Sequence, residues 1–219
     1  MITIGIASVP ARAHMLIKTL ESLTGQCDQI FVALNGHTEI PQEFHKISNA
    51  KYEILDNSLK DSAKFLHVEE CDGFYLGCDD DLIYSRDHCQ YLVSKATQYN
   101  ALVSLHGRKF TRPVRGLKRG FTLNYHCLHS YDYDTKLDLG GSGVCCFHTD
   151  RLKLSIKDFE LPGMADVWLA RQAWLQGVPI MGIAHKNNYL KYMPPPDQTL
   201  WHYWRDDSVQ TKILQSFIK

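Results

Sequence analysis

Three adjacent carboxylates, Asp79, Asp80 and Asp81, end the apolar run Phe74-Tyr-Leu-Gly-Cys78. Side by side they repel one another unless a cation or basic side chains compensate them. Oxygen-only donors favour Mn²⁺ or Mg²⁺, and magnesium in particular is usually held by one or two carboxylates together with substrate phosphates. A solvated acidic loop or a helix cap would use the same residues. The buried strand in front of them argues for a site, because ligands of open α/β sheets bind at the carboxyl ends of strands.

A second excess of charge follows. Between His106 and Gly120 stand six bases, Arg108, Lys109, Arg112, Arg115, Lys118 and Arg119, and no acid. That is either a solvated loop or an attractor for a diphosphate, an anionic or lipid-linked glycan, or a membrane surface. Between Glu69 and Asp87, seven acids face the single base Arg86, and over all 219 residues 24 bases and 24 acids cancel to a net charge of zero. The balance excludes a uniformly basic nucleic-acid binder. No aromatic interleaving or nucleic-acid motif accompanies the basic segment, so nucleic acid is not an expected partner.

Other candidate motifs carry less. Gly140-Gly-Ser-Gly143 lacks phosphate-loop and dinucleotide-loop spacing and precedes a strand rather than a helix. Trp168, Trp201 and Trp204 offer faces of the kind that stack on sugar rings, whereas Trp174 shares the inward stripe of its helix. The seven cysteines are odd in number, scattered and free of CxxC pairs. They read as small buried hydrophobes in a reducing cytosol, not as a disulfide framework or a thiolate zinc site. The opening MITIGIASVPAR has no leader character, and no apolar run approaches the roughly 18 residues of a membrane span. The expectation is a cytoplasmic, soluble protein, with peripheral contact the membrane association left open.

The elements that must position these residues follow from periodicity. Apolar, β-branched runs of strand length occur at Ile2–Val9, Ile30–Leu34, Tyr52–Leu55, Phe74–Cys78, Ala101–Leu105, Gly143–His148 and Val178–Ala184. Helical spacing occupies Ala11–Leu23, Lys60–Glu70, Arg86–Tyr99, Ala165–Gln176 and a C-terminal segment carrying Val209, Ile213 and Phe217. His106–Leu139 lacks either rhythm and reads as loops with short irregular strands, and Met193-Pro-Pro-Pro196 as a loop. Strands without polar alternation, spaced by helices, predict an α/β fold with a mostly parallel central sheet flanked by helices.

In this order the motifs resemble the GT-A-fold glycosyltransferases, family 2 and its relatives. The resemblance covers Ile2 to Gly107 and returns from Gly141-Ser-Gly143 through Asp166. It implies a single GT-A domain over 1–219, with a nucleotide-sugar half at about 1–107 and an acceptor half at about 108–219. Ala7, Ser8, Val9 and Pro10 would line the nucleoside pocket, with Arg12 at its rim, and Lys64 and Asp80 would face the nucleotide. Asp79 would touch ribose or the metal shell, and Asp81 would be the direct ligand of Mn²⁺ or Mg²⁺. Family 2 members often end the second strand with an acid that reads the base; Leu34-Asn35-Gly36 stands here, so Asn35 takes that position. Asp166, in Gly163-Met-Ala-Asp-Val-Trp-Leu-Ala170, matches the carboxylate that deprotonates the acceptor hydroxyl, with a plain helix cap as the competing reading and Asp158 and Glu160 as fallback bases. Some members complete the metal shell with a histidine, for which His185 is preferred over His202. The implied reaction transfers a sugar, with inversion, from a nucleoside-diphosphate donor, UDP-sugar favoured, to a glycan or glycolipid acceptor. A sugar-phosphate nucleotidyltransferase and a cation-dependent carbohydrate-binding module are the alternatives.

Overall fold

The computed structural model describes residues 1–196 and 206–219. His202, Trp201 and Trp204 lie outside the described residues. Thirteen strands and four α-helices are named here among those described. The first half contains β1 (Ile2–Ser8), α1 (Ala13–Leu23), β2 (Gln29–Asn35), β3 (Ala50–Leu55), β4 (Phe74–Asp79), β5 (Leu82–Ile83) and α2 (His88–Tyr99). The second contains β6 (Leu102–Ser104), β7 (Gly107–Phe110), β8 (Phe121–Tyr125), β9 (Thr135–Leu137), β10 (Leu139–Gly140), β11 (Val144–His148), α3 (Ala165–Leu175), β12 (Ile180–Gly182), β13 (Lys191–Tyr192) and α4 (Ser208–Phe217).

Eight strands form the main sheet in the order β3-β2-β1-β4-β11-β6-β12-β9. The expected mostly parallel sheet is corrected to a mixed one. β1 to β4 run parallel, but β11 enters antiparallel between β4 and β6, and β9 closes the edge antiparallel to β12. Apolar runs report burial on both faces, not strand direction, so β11 looks like any other central strand in sequence. β7, β8 and β10 form a separate small sheet, and β13 pairs with β5.

Side-chain alternation divides the core into two layers. Ile4 and Ile6 of β1, Leu76 and Cys78 of β4, and Val144 and Cys146 of β11 pack with Leu16 and Leu20 of α1 and Leu92 of α2 on one face. Tyr75, Cys145 and Phe147 point to the other face, against Phe65, α3 and α4. At about 1.5–3 kcal/mol for each fully buried large apolar side chain, these layers dominate the stability of the fold.

Local chemistry sets the element ends. Pro10 opens a 3₁₀ turn, Pro10–Arg12, ahead of α1, where its missing N–H is not needed. Asn100 takes a left-handed conformation (φ 47°) and stops α2. The helix expected at Lys60–Glu70 is instead two 3₁₀ turns, Lys60–Phe65 and Val68–Glu70. Lys60 itself has φ 48°, which an α-helix cannot accommodate, and the tight turns bury Lys64 along with Phe65. No helix among the described residues is long and apolar enough to cross a membrane, and all seven cysteines are free thiols.

Candidate functional site

The chain leaves β1 toward β2 on one side and returns to β4 on the other, so the carboxyl ends of β1 and β4 flank a topological switch point. Register there pairs Ala7 with Asp79. A cleft of about 640 Å³ opens at this point. Ala7, Ser8, Val9, Arg12 and Asn35 line it from the first two strands and their turns, and Lys64, Asp79, Asp80 and Asp81 from the next. Asp166 lines it from the start of α3. Pro10 does not line it; it is exposed and shapes the turn behind Val9.

The three adjacent aspartates have separate surroundings. Asp80 is buried, accepts a 2.6 Å hydrogen bond from Ser8 Oγ, and pairs with Arg12 Nη1 at 3.2 Å. Its backbone carbonyl accepts from Thr19 Oγ1. Asp80 thus ties the β1 turn and α1 to the end of β4. Burial raises its pKa, while Arg12 and Ser8 favour the charged form. Asp79 keeps an accessible carboxylate, 45 % exposed, paired with the buried Lys64 ammonium. Asp81 lies 3.9 Å from Arg12, and burial, then Asp79 and Asp80, push its carboxyl up to about 7. Arg12 and Lys64 therefore do not fully compensate the triplet. The residual charge sits on hard oxygen donors beside an open cleft, which fits Mn²⁺ or Mg²⁺ on Asp79 and Asp81.

Close backbone approach makes this geometry possible. A Cβ on Gly143 would stand 1.8 Å from Asp79 Oδ2, and one on Gly5 would stand 1.9 Å from Lys64 O. Tyr84 locks the same corner: its hydroxyl accepts from Asp79 N at 2.7 Å and donates to Gly143 O at 2.7 Å.

Across the cleft, Asp166 Oδ1 accepts the Ser142 backbone N–H at 2.7 Å. The glycine segment before β11 thus positions a carboxylate. Asp158 and Glu160 do not line the cleft: Asp158 closes a capping box with Ser155, and Glu160 lies 3.9 Å from Arg171. The residue missed in sequence is Asp61. It is half-buried in the cleft wall, accepts from Gly163 N (2.8 Å) and Ala165 N (3.0 Å), and so supplies an acceptor to the N-terminus of α3. Burial raises its pKa, against the pull of Lys64. For Lys64, burial opposes the charge, but Asp79 and Asp61 outweigh it and raise the pKa. Asp61 stands three residues before Lys64, the spacing of one turn, and that was the available signal.

The basic segment divides. Arg108 and Lys118 line the cleft, whereas Arg112 pairs with Asp138 at 2.8 Å. Asn35 Oδ1 and Gln210 Oε1, both buried and without a hydrogen-bond partner, also line it. Buried acceptors of this kind are rare outside sites that take a polar ligand or ordered water.

Two expectations are corrected. His185 does not line the cleft and is not brought to Asp81; it is buried, with Nδ1 2.7 Å from Ile183 O and its ring against Tyr125 and Tyr131. Trp168 is core rather than a sugar platform, 3 % exposed with Nε1 donating to Leu161 O. Trp174 packs against the core beside Phe217, as its stripe implies.

The fold and cleft define an α/β protein with a polar, charged pocket at a sheet switch point. Compared with known proteins, the chain matches no family model and no curated sequence.

Proposed function

We propose that the protein is a metal-dependent GT-A glycosyltransferase acting on a nucleoside-diphosphate sugar, UDP-sugar favoured. The observation that carries this reading is the meeting, in one cleft, of the β1 turn, the Lys64–Asp79 pair, Asp81 and the α3 carboxylate Asp166. The strand order, with one antiparallel strand inserted beside β4, is compatible with that fold.

In this reading Ala7, Ser8, Val9 and Asn35 receive the nucleoside, and Lys64, Arg108 and Lys118 supply positive charge for the diphosphate. A divalent cation held by Asp79 and Asp81 would neutralise charge on the departing diphosphate. Asp166, its Oδ1 held by Ser142 N, would take the proton of the acceptor hydroxyl as that oxygen attacks the anomeric carbon. Arg12 and Asp80 act by positioning, each fixing the other and the turn at Ser8. A glycan or glycolipid acceptor would enter from the Asp166 wall.

The test is a thermal melt with UDP, GDP, CMP and dTDP compounds, each with and without Mn²⁺. A ligand that binds only the folded state raises Tm, and one nucleotide should do so only when metal is present. No nucleotide effect at any metal concentration overturns the reading. Stabilisation by free glycans plus metal alone would instead indicate a carbohydrate-binding module.

A further inference from the structure

A metal-ligating set of different chemistry lies near the carboxylate triplet, whose Asp79 and Asp81 act electrostatically on Cys127. His106, His126 and Cys127 each offer a donor atom, and these atoms lie within 4.8 Å of one another. Hairpin register brings them together. Gly107 of β7 pairs with Tyr125 of β8, so the residues flanking that pair, His106 and His126, face each other with ring centroids 5.0 Å apart. Cys127 follows directly, and its N–H donates to His106 Nδ1 at 3.4 Å, while Leu128 N–H donates to His126 Nδ1 at 3.3 Å. Both Nδ1 atoms therefore present a lone pair, each engaged only by a long hydrogen bond.

His185, freed from the role first expected of it, lies behind this cluster. Its Nε2 is buried without a hydrogen bond, and the backbone of His126 and Cys127 faces the ring. Two nitrogens and one sulfur, with no oxygen donor, form a set that prefers borderline-soft zinc to magnesium or manganese.

We propose that His106, His126 and Cys127 bind one Zn²⁺ through a donor set distinct from Asp79 and Asp81. Binding forms two Zn–N bonds and one Zn–S bond and releases the Cys127 thiol proton to solvent. Three protein donors leave a fourth position for water or a ligand. The site pins the end of the β7–β8 hairpin to the wall that carries Asp166, because His106 O accepts from Gly141 N at 2.8 Å and the next residue, Ser142, donates to Asp166.

The experiment strips the full chain with chelator, reloads it with Zn²⁺ or Co²⁺, and measures zinc per chain and the thiolate-to-cobalt charge-transfer band. Wild type should retain one zinc and show the band. Asp81→Asn should keep both, which separates this site from the triplet. Cys127→Ser should lose the band, and it and His126→Gln should each weaken zinc binding by at least about 10-fold, since even outer partners of a metal site cost that much. Metal-free melts of both variants control for folding, and the wild-type band needs no variant at all. Absence of the band in wild type, or its survival in Cys127→Ser, overturns the proposal. Zinc retained without any nucleotide binding would break the glycosyl-transfer reading and leave this one standing.

Discussion

The two walls of the cleft are built in different ways. On the β4 wall, three consecutive aspartates are delivered by one strand, and each finds a different role within a few ångströms: Asp80 buried on Ser8 and Arg12, Asp79 on Lys64, Asp81 poorly compensated. On the α3 wall, Asp166 depends on residues far away in the chain. Ser142 N holds it, Asp61 supplies acceptors to the helix start 102 and 104 residues away, and Arg108 and Lys118 come from the segment around the small sheet. A contiguous wall can concentrate charge because its backbone is already fixed by sheet pairing. An assembled wall brings its carboxylates, Asp61 and Asp166, together from distant segments and gives each its own backbone donors.

The walls should answer mutation differently. The largest effect is expected on the assembled wall: Asp166→Asn should lower the transfer rate by on the order of 10²–10⁴-fold, the usual worth of a positioned base, while metal-dependent nucleotide stabilisation survives. Retained turnover would put the base elsewhere. On the contiguous wall, Asp81→Asn should abolish the metal-dependent Tm rise with nucleotide.

Asp81 also carries a pH signature. Its folded pKa of about 7 lies above the ordinary value of 3.8, so its stabilising contribution is present below about pH 4 and lost as pH rises to about 7. His106, lowered to about 4, has the opposite sign: stability grows as pH rises from about 4 toward 6.5. The difference in Tm between wild type and Asp81→Asn, measured in chelator from pH 4 to 8, isolates the carboxylate. Wild type should lose stability relative to the variant across that range, and parallel curves would remove the charge conflict at the triplet.

Smaller effects should sharpen the contrast. Asp61→Ala leaves the Gly163 and Ala165 N–H groups without their acceptor and should cost about 1–3 kcal/mol in denaturant unfolding. Gly143→Ala must push Asp79 aside and should cost about 1–3 kcal/mol, with weaker metal-dependent nucleotide binding. Smallest of all, Lys118→Ala should weaken nucleotide binding by at most about 1 kcal/mol, the range of a solvated ion pair, and the loss should shrink at high salt.

Much of the contiguous wall was legible because a strand, a turn and the side chains they carry are neighbours in sequence. Ser8, Arg12, Lys64 and the three aspartates all line the cleft that their strands imply. Asp166 was legible through the motif resemblance, which set it apart from a plain helix cap. Asp61 was not, because a carboxylate that serves a helix about a hundred residues away leaves only local turn spacing as a trace. His185 was misread for the mirror-image reason: it follows a strand on the same sheet, yet its ring turns back toward Ile183 O and the tyrosines. The histidine and cysteine cluster shows the same limit, since positions 106, 126 and 127 have no recognisable ligand spacing until the β7–β8 register makes them neighbours.

By itself, the sequence determined the α/β alternation and the concentration of acid at one strand end, because hydrophobic periodicity and strand-end chemistry act over a few residues. Only the tertiary structure decided that β11 runs antiparallel, that Asp61 and Ser142 support the α3 wall, and that His106 meets Cys127. Those outcomes depend on which distant segments pack together, and packing is selected by shape and burial across the whole core rather than by any local pattern.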